Sequence, residues 1–179
     1  MIKALPYRYD VSEAVSQIEA QPDIWNTHRM RTEAYGTPHN GISDIWVRYN
    51  DWSNFNGDIA AFNGPHESSW YPVIDKIPAV RAVVCRLFKD AGGKTLGGVL
   101  ITKIPPGGEV RPHIDHGWHA GHYTKYAVQL KGDKRQGFYF EDSSLSALPG
   151  ESYTFDNSRL HWVKNESDAD RMTLIVCIR

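Results

Sequence analysis

Apolar positions recur with a helical period in the first half of the chain and with a strand-like rhythm in the second. Asp10 is placed to cap a helix, with Glu13 three residues later; Val11, Ala14, Val15 and Ile18 then mark one helical face. Gln21-Pro22-Asp23 ends that helix. Pro78 opens a second, with Val80, Val83, Val84, Leu87 and Phe88 as its apolar stripe and Gly92-Gly93 as its stop. Leu5–Tyr9 and Asp44–Tyr49 read as short strands, the latter with Ile45 and Val47 on one face. Residues 25–39 read as irregular or extended, and 50–66, rich in Asn, Asp and Gly, as mainly loop.

From Val99 onward the rhythm changes. Val99–Ile104, Tyr123–Leu130, Gln136–Glu141, Ser152–Phe155 and Met172–Ile178 are strand-like runs with no helix predicted between them. Pro105-Pro106-Gly107-Gly108, Lys131-Gly132-Asp133-Lys134 and Pro149-Gly150 supply turns. This pattern predicts an antiparallel sandwich or barrel. The expected fold is α+β, one domain over residues 1–179. Residues 1–95 form a helical and extended part, packed on barrel strands from 96–179. No internal repeat or low-complexity tract interrupts it.

Composition changes this picture little. A chain of 179 residues, 41% hydrophobic and 23% charged, suits one domain with a real core. A net charge of −1 counts against broad attraction to nucleic acid or anionic membrane. No apolar run approaches the roughly 18–20 residues of a membrane span. The first residues, Met1 to Arg8, lack the apolar core of a signal peptide, so a soluble, cytoplasmic protein is expected. Cys85 and Cys177 lie in apolar segments and are expected to be buried free thiols. Six Trp and nine Tyr suit core packing or a ring-lined pocket.

Candidate chemistry begins at His113-Ile114-Asp115. In an extended chain the first and third of these residues face one side and can reach one metal ion together. His161, between two predicted strands, is the candidate third ligand. Two His and one carboxylate on one face of an ion leave its other positions open, the arrangement of non-haem iron(II) oxygenases. Arg171 follows His161, and Thr173 would share its face on a strand. A guanidinium beside a hydroxyl suits a carboxylate, because Arg donates two parallel hydrogen bonds.

His113-x-Asp115, His161 and Arg171-x-Thr173 together resemble the signature of the iron(II)/2-oxoglutarate oxygenases. Gly150 to Ser158, with His161, Asn165 and Arg171, resembles their aspartyl/asparaginyl β-hydroxylase branch. The resemblance covers about Val99 to the C-terminus. It implies a double-stranded β-helix, also called a jelly-roll or cupin-like barrel, and Fe(II), 2-oxoglutarate and O2 as cofactors. It implies that His113, Asp115 and His161 ligate iron and that Arg171, assisted by Thr173, pairs with the distal carboxylate of 2-oxoglutarate. In that branch a basic residue on the strand after the first ligand pair contacts the cosubstrate; Lys125 falls there, with Tyr126 and Gln129 as alternatives. One departure is that several aspartyl β-hydroxylases lack the carboxylate ligand, whereas this chain has Asp115. It therefore need not share their substrate, and Asp115 argues against halogenation.

The expected activity is hydroxylation of an amino acid, free or in a peptide or protein, with release of succinate and CO2. The same chemistry on a nucleobase or other small metabolite is the alternative, as is a metal-binding cupin without 2-oxoglutarate turnover. Trp118, His39 and Arg48 are candidate substrate contacts; His39, Asp44, Trp46 and Arg48, on or near the Asp44–Tyr49 strand, fit the substrate side of the barrel mouth, and core packing or ordinary surface charge explains them as well. His116, His119 and His122 fit a mobile lid hinged at Gly117 and Gly121, a solvated loop, or a second metal site.

Overall fold

Alternation along one strand, Arg171–Ile178, decides the architecture. Met172, Leu174, Val176 and Ile178 point into an apolar cluster of 21 buried residues. Arg171, Thr173 and Ile175 point the other way, into the space between two sheets. The first face needs a cover of helices, and the second builds a site.

The computed structural model describes residues 1–179. Its strands are β1 (Ile2–Arg8), β2 (Ser43–Tyr49), β3 (Ser69–Trp70), β4 (Leu96–Ile104), β5 (Glu109–His113), β6 (Thr124–Lys131), β7 (Gln136–Phe140), β8 (Ser144–Leu145), β9 (Glu151–Phe155), β10 (His161–Asn165) and β11 (Arg171–Ile178). Its helices are α1 (Ser12–Glu19), α2 (Met30–Glu33), α3 (Ile59–Phe62), α4 (Pro78–Asp90) and α5 (Trp118–His122). A seven-stranded sheet runs β1-β9-β6-β11-β4-β2-β3 and faces a four-stranded sheet, β5-β10-β7-β8. Every strand pairing is antiparallel. This is the double-stranded β-helix expected from the sequence.

Two cores hold it. The larger lies between the outer face of the seven-stranded sheet and helices α1 and α4, with Ile18, Val80, Val84 and Leu87 packed on the strands. The smaller lies between the sheets and includes Ile104, Val110, Phe138, Tyr153 and Phe155. Gly150, at φ +84°, turns the chain into β9 and accepts the N–H of Tyr9 at 2.9 Å, which fastens β1 to the sheet.

Several local expectations need correction. Asp10 does not form a capping box: its carboxylate accepts from the N–H and hydroxyl of Ser12, while Glu13 accepts from Gln17. Strand β1 begins at Ile2, because it pairs with β9 from that residue. Cys85 is exposed on α4, and only Cys177 is buried. Within 50–66, Asp58 accepts from the N–H groups of Ala60 and Ala61 and so caps the short helix α3. Strands β5 and β10 were not expected as regular elements, and they carry the site.

Candidate active site

His113 ends β5 and His161 begins β10, directly opposite each other in the antiparallel register. Their ring centres are 4.3 Å apart. Each ring is oriented by its own chain: His113 Nδ1 lies 2.8 Å from the carbonyl of Arg111, and His161 Nδ1 lies 2.8 Å from that of Arg159. A carbonyl only accepts, so in the neutral rings Nδ1 carries the proton and Nε2 presents a lone pair. Asp115 faces both: Oδ1 is 3.6 Å from His113 Nε2, and Oδ2 is 3.9 Å from His161 Nε2. The carbonyl of Asn157 accepts the Asp115 N–H at 3.0 Å and fixes its backbone.

These three residues form the chain's one convergent group of metal-ligating side chains, with ligand atoms all within 4.8 Å of one another. Two atoms each about 2.1 Å from a shared ion are roughly 3 Å apart at a right angle and about 4 Å apart when opposite. The two carboxylate–imidazole distances fall within this range, and two imidazoles with one carboxylate are the donor set of a facial iron(II) site.

The electrostatics favour the ligating forms. Burial lowers both imidazoles below the ordinary histidine value, keeping them neutral. Phe138 stacks on the His161 ring at 5.4 Å and supplies part of that apolar wall. Burial opposes the charge of Asp115, but the Lys125 ammonium bonded to it outweighs burial and holds the carboxyl below its usual range.

Arg171 lines the same cavity. It is 3% exposed, and no carboxylate pairs with it. Nη1 donates to Thr173 Oγ1 at 2.7 Å, and Nη2 to the Tyr153 hydroxyl at 3.1 Å. The Thr173 hydroxyl in turn donates to Gln129 Oε1 at 3.3 Å. Asn165 braces the start of β11: its Nδ2 donates to the carbonyls of Ile104, Pro105 and Ala169. A buried guanidinium without a counter-charge is costly unless an anion joins it. The structure thus sets a cation at the bottom of the cavity and three metal-ligating atoms above it.

A second cleft opens beside the ligand cluster and shares Asp115, Lys125, His39, Arg31 and Ile175 with the cavity. His39 is 8% exposed, its Nδ1 has no partner, and its ring meets that of His113 edge-on at 4.8 Å. Burial depresses its pKa far below the ordinary value, so it is neutral. Arg48 lines this cleft.

Other candidates fall elsewhere. Tyr126 packs toward the helices, on the face opposite Lys125, so it cannot touch a ligand in the cavity. Lys125 does face the cavity, with its ammonium on Asp115. Trp118 stays outside the cleft lining and stacks on His122 at 4.7 Å. His116 and His119 line the cleft while His122 meets Arg179, so the three do not converge on a second metal. Sequence reasoning missed Tyr153 and Arg31. Tyr153 alternates with Phe155 on β9, a readable signal; Arg31 lies on the short helix α2, within a stretch expected to be irregular, and is held by Asp44 at 2.7 and 2.9 Å.

A family model described as aspartyl/asparaginyl beta-hydroxylase matches residues 11–179. Among solved structures, the chain resembles a 2OG-Fe(II) oxygenase family oxidoreductase from Burkholderia pseudomallei. That likeness has TM-score 0.63 and 11% identity, over 98% of this chain and 84% of that one. It also resembles the viral collagen prolyl hydroxylase of Paramecium Bursaria Chlorella virus-1 in its 2OG complex. There the TM-score is 0.54 and the identity 14%, over 99% of this chain and 94% of that one. At these identities the likeness is one of fold. No curated protein sequence matches the chain.

Proposed function

Because the chain belongs to the aspartyl/asparaginyl β-hydroxylase family, a family of 2-oxoglutarate-dependent oxygenases using Fe(II), 2-oxoglutarate and O2, we propose that it hydroxylates an amino acid, free or within a peptide or protein. The observation that carries this reading is the unpaired, buried Arg171 at the bottom of the cavity that His113, Asp115 and His161 line. A passive barrel has no use for a desolvated cation there; a dicarboxylate cosubstrate supplies its partner.

In this reading His113, Asp115 and His161 hold Fe(II), and Arg171 grips the distal carboxylate of 2-oxoglutarate. Thr173 and Tyr153 fix the plane of the guanidinium, so little freedom is lost when the carboxylate arrives. Lys125 keeps Asp115 ionised before metal enters. Phe138 and Phe155 keep water from the His161 side. When bound, Fe(II) would supply the oxidation, one atom of O2 going to 2-oxoglutarate as it becomes succinate and CO2 and the other to the substrate C–H, which becomes C–OH. The cleft beside Asp115 presents the substrate.

The test is succinate release with free amino acids and short peptides, followed by mass analysis for one added oxygen atom. Stimulation above the uncoupled rate with that added oxygen supports the reading. Uncoupled turnover that no amino acid or peptide stimulates would remove the amino-acid substrate and leave the oxygenase.

A further inference from the structure

We infer that the substrate carries a carboxylate, and that Arg48 holds it at the outer end of the cleft with the Trp46 indole as a second donor. This rests on the oxygenase reading above and adds the class of molecule that the cleft takes.

The charge inventory of the cleft is one-sided. Its lining contains three permanent cations, Arg31, Arg48 and Lys125, and one acid, Asp115. Arg31 is neutralised by the buried Asp44, and Lys125 by Asp115. Arg48 makes no ion pair. Its Nε donates to the Gly97 carbonyl at 3.1 Å and its Nη2 to the Leu96 carbonyl at 3.2 Å. Its guanidinium carbon lies 5.4 Å from the centre of the Trp70 ring. These contacts fix the guanidinium plane and leave Nη1 without a protein partner. A half-buried cation held in one orientation is prepared for an anion.

Trp46 gives an independent observation. Its Nε1 is buried and has no hydrogen-bond partner, although the residue lines the same cleft from the same strand. A buried N–H left unpaired is unfavourable, and a ligand oxygen would pair it.

Position separates this anion from the cosubstrate. Across the inner face of the large sheet, Thr173 lies opposite Thr102 and Gln129, Ile175 opposite Leu100 and Ala127, and Cys177 opposite Lys125. Trp46 lies opposite Leu100, and Arg48 opposite Val99. Arg48 therefore belongs to the Cys177 end of β11. Arg171 starts that strand six residues earlier, roughly 20 Å away at the rise of an extended chain. One small dicarboxylate does not reach both. A second carboxylate at Arg48 points its molecule along the cleft toward Asp115. A cationic substrate has no free acid to meet there.

The probes are the twenty free L-amino acids and their C-terminal amides. Each is titrated by calorimetry into the anaerobic protein loaded with Fe(II) and 2-oxoglutarate, whose visible chelate band is recorded first. We expect at least one acid to bind, with its amide at least about tenfold weaker. Arg48→Gln should weaken the acid by a similar factor and leave the amide unaffected, Arg48→Lys should recover part of the loss, and Trp46→Phe should weaken the acid several-fold. An amide that binds as well as its acid, an acid indifferent to Arg48→Gln, or a band with no acid bound overturns the inference. Absence of the band instead sinks the oxygenase reading beneath it.

Discussion

At the residue scale, the cavity floor is a small hydrogen-bonded assembly whose members have separable effects. Tyr153 touches the Arg171 guanidinium through its hydroxyl alone. Tyr153→Phe keeps the ring in the core and removes one bond, about 1 kcal/mol, so the dissociation constant for 2-oxoglutarate should rise about fivefold. Calorimetry on the anaerobic iron-loaded protein measures it; an unchanged constant would mean that Tyr153 does not orient the guanidinium. Tyr126→Ala should leave that constant where it is, because its side chain packs toward the helices. Here one residue of parity decides everything. Lys125 and Tyr126 are adjacent in sequence, and the pleat sends only one of them inward. His113 and Asp115 were legible for the same reason, since a spacing of two is a shared face in any extended register.

At the element scale, the strands that carry the two histidines of the proposed metal site are the ones least visible in the sequence. In β10 the buried positions alternate as His161, Val163 and Asn165, so two of the three inward residues are polar. Hydrophobic periodicity cannot register such a strand. In β5, Pro112 and the charges of Glu109 and Arg111 mask a pairing that the opposing register makes plain. The apolar strands β4, β6 and β11 and helix α4 bury ordinary hydrophobic faces, and the sequence displayed them. Arg31 was out of reach, because its place depends on a long-range ion pair with Asp44 rather than on any local pattern. The turn before β9 makes a mechanical prediction. A Cβ at Gly150 would lie 2.3 Å from the Tyr9 carbonyl oxygen, at a φ that L-residues avoid. Gly150→Ala should cost about 2 kcal/mol or more and lower the melting temperature by about 4–8 °C. A melting temperature equal to wild type would show that β1 is not fastened there.

At the scale of the whole molecule, the histidines set the acid limit of stability. Burial lowers His119 to about 3 and brings His28, His39 and His66 below the ordinary value of 6.5. The unfolded chain takes up these protons near 6.5, whereas the folded chain resists them to lower pH. The unfolded state then binds more protons, so stability rises with pH across that window. It is present above about pH 6.5 and lost progressively as pH falls toward 3. Thermal melts of the metal-free protein should therefore decline steadily below about pH 6.5. A melting temperature flat from about pH 7 to 4 would mean that these imidazoles are solvated.

Two proposed sites share one cavity, Fe(II) on His113, Asp115 and His161 and a dicarboxylate on Arg171. The most direct test needs no substrate. Under anaerobic conditions, Fe(II) and 2-oxoglutarate are added to the metal-free protein and the visible charge-transfer band of their chelate is recorded. The band should form in the wild type and be absent in His161→Ala. In Arg171→Ala it should need at least about thirtyfold more 2-oxoglutarate, the loss of a charge-assisted bidentate contact. Iron bound without a band, or a band indifferent to Arg171→Ala, would contradict this assignment.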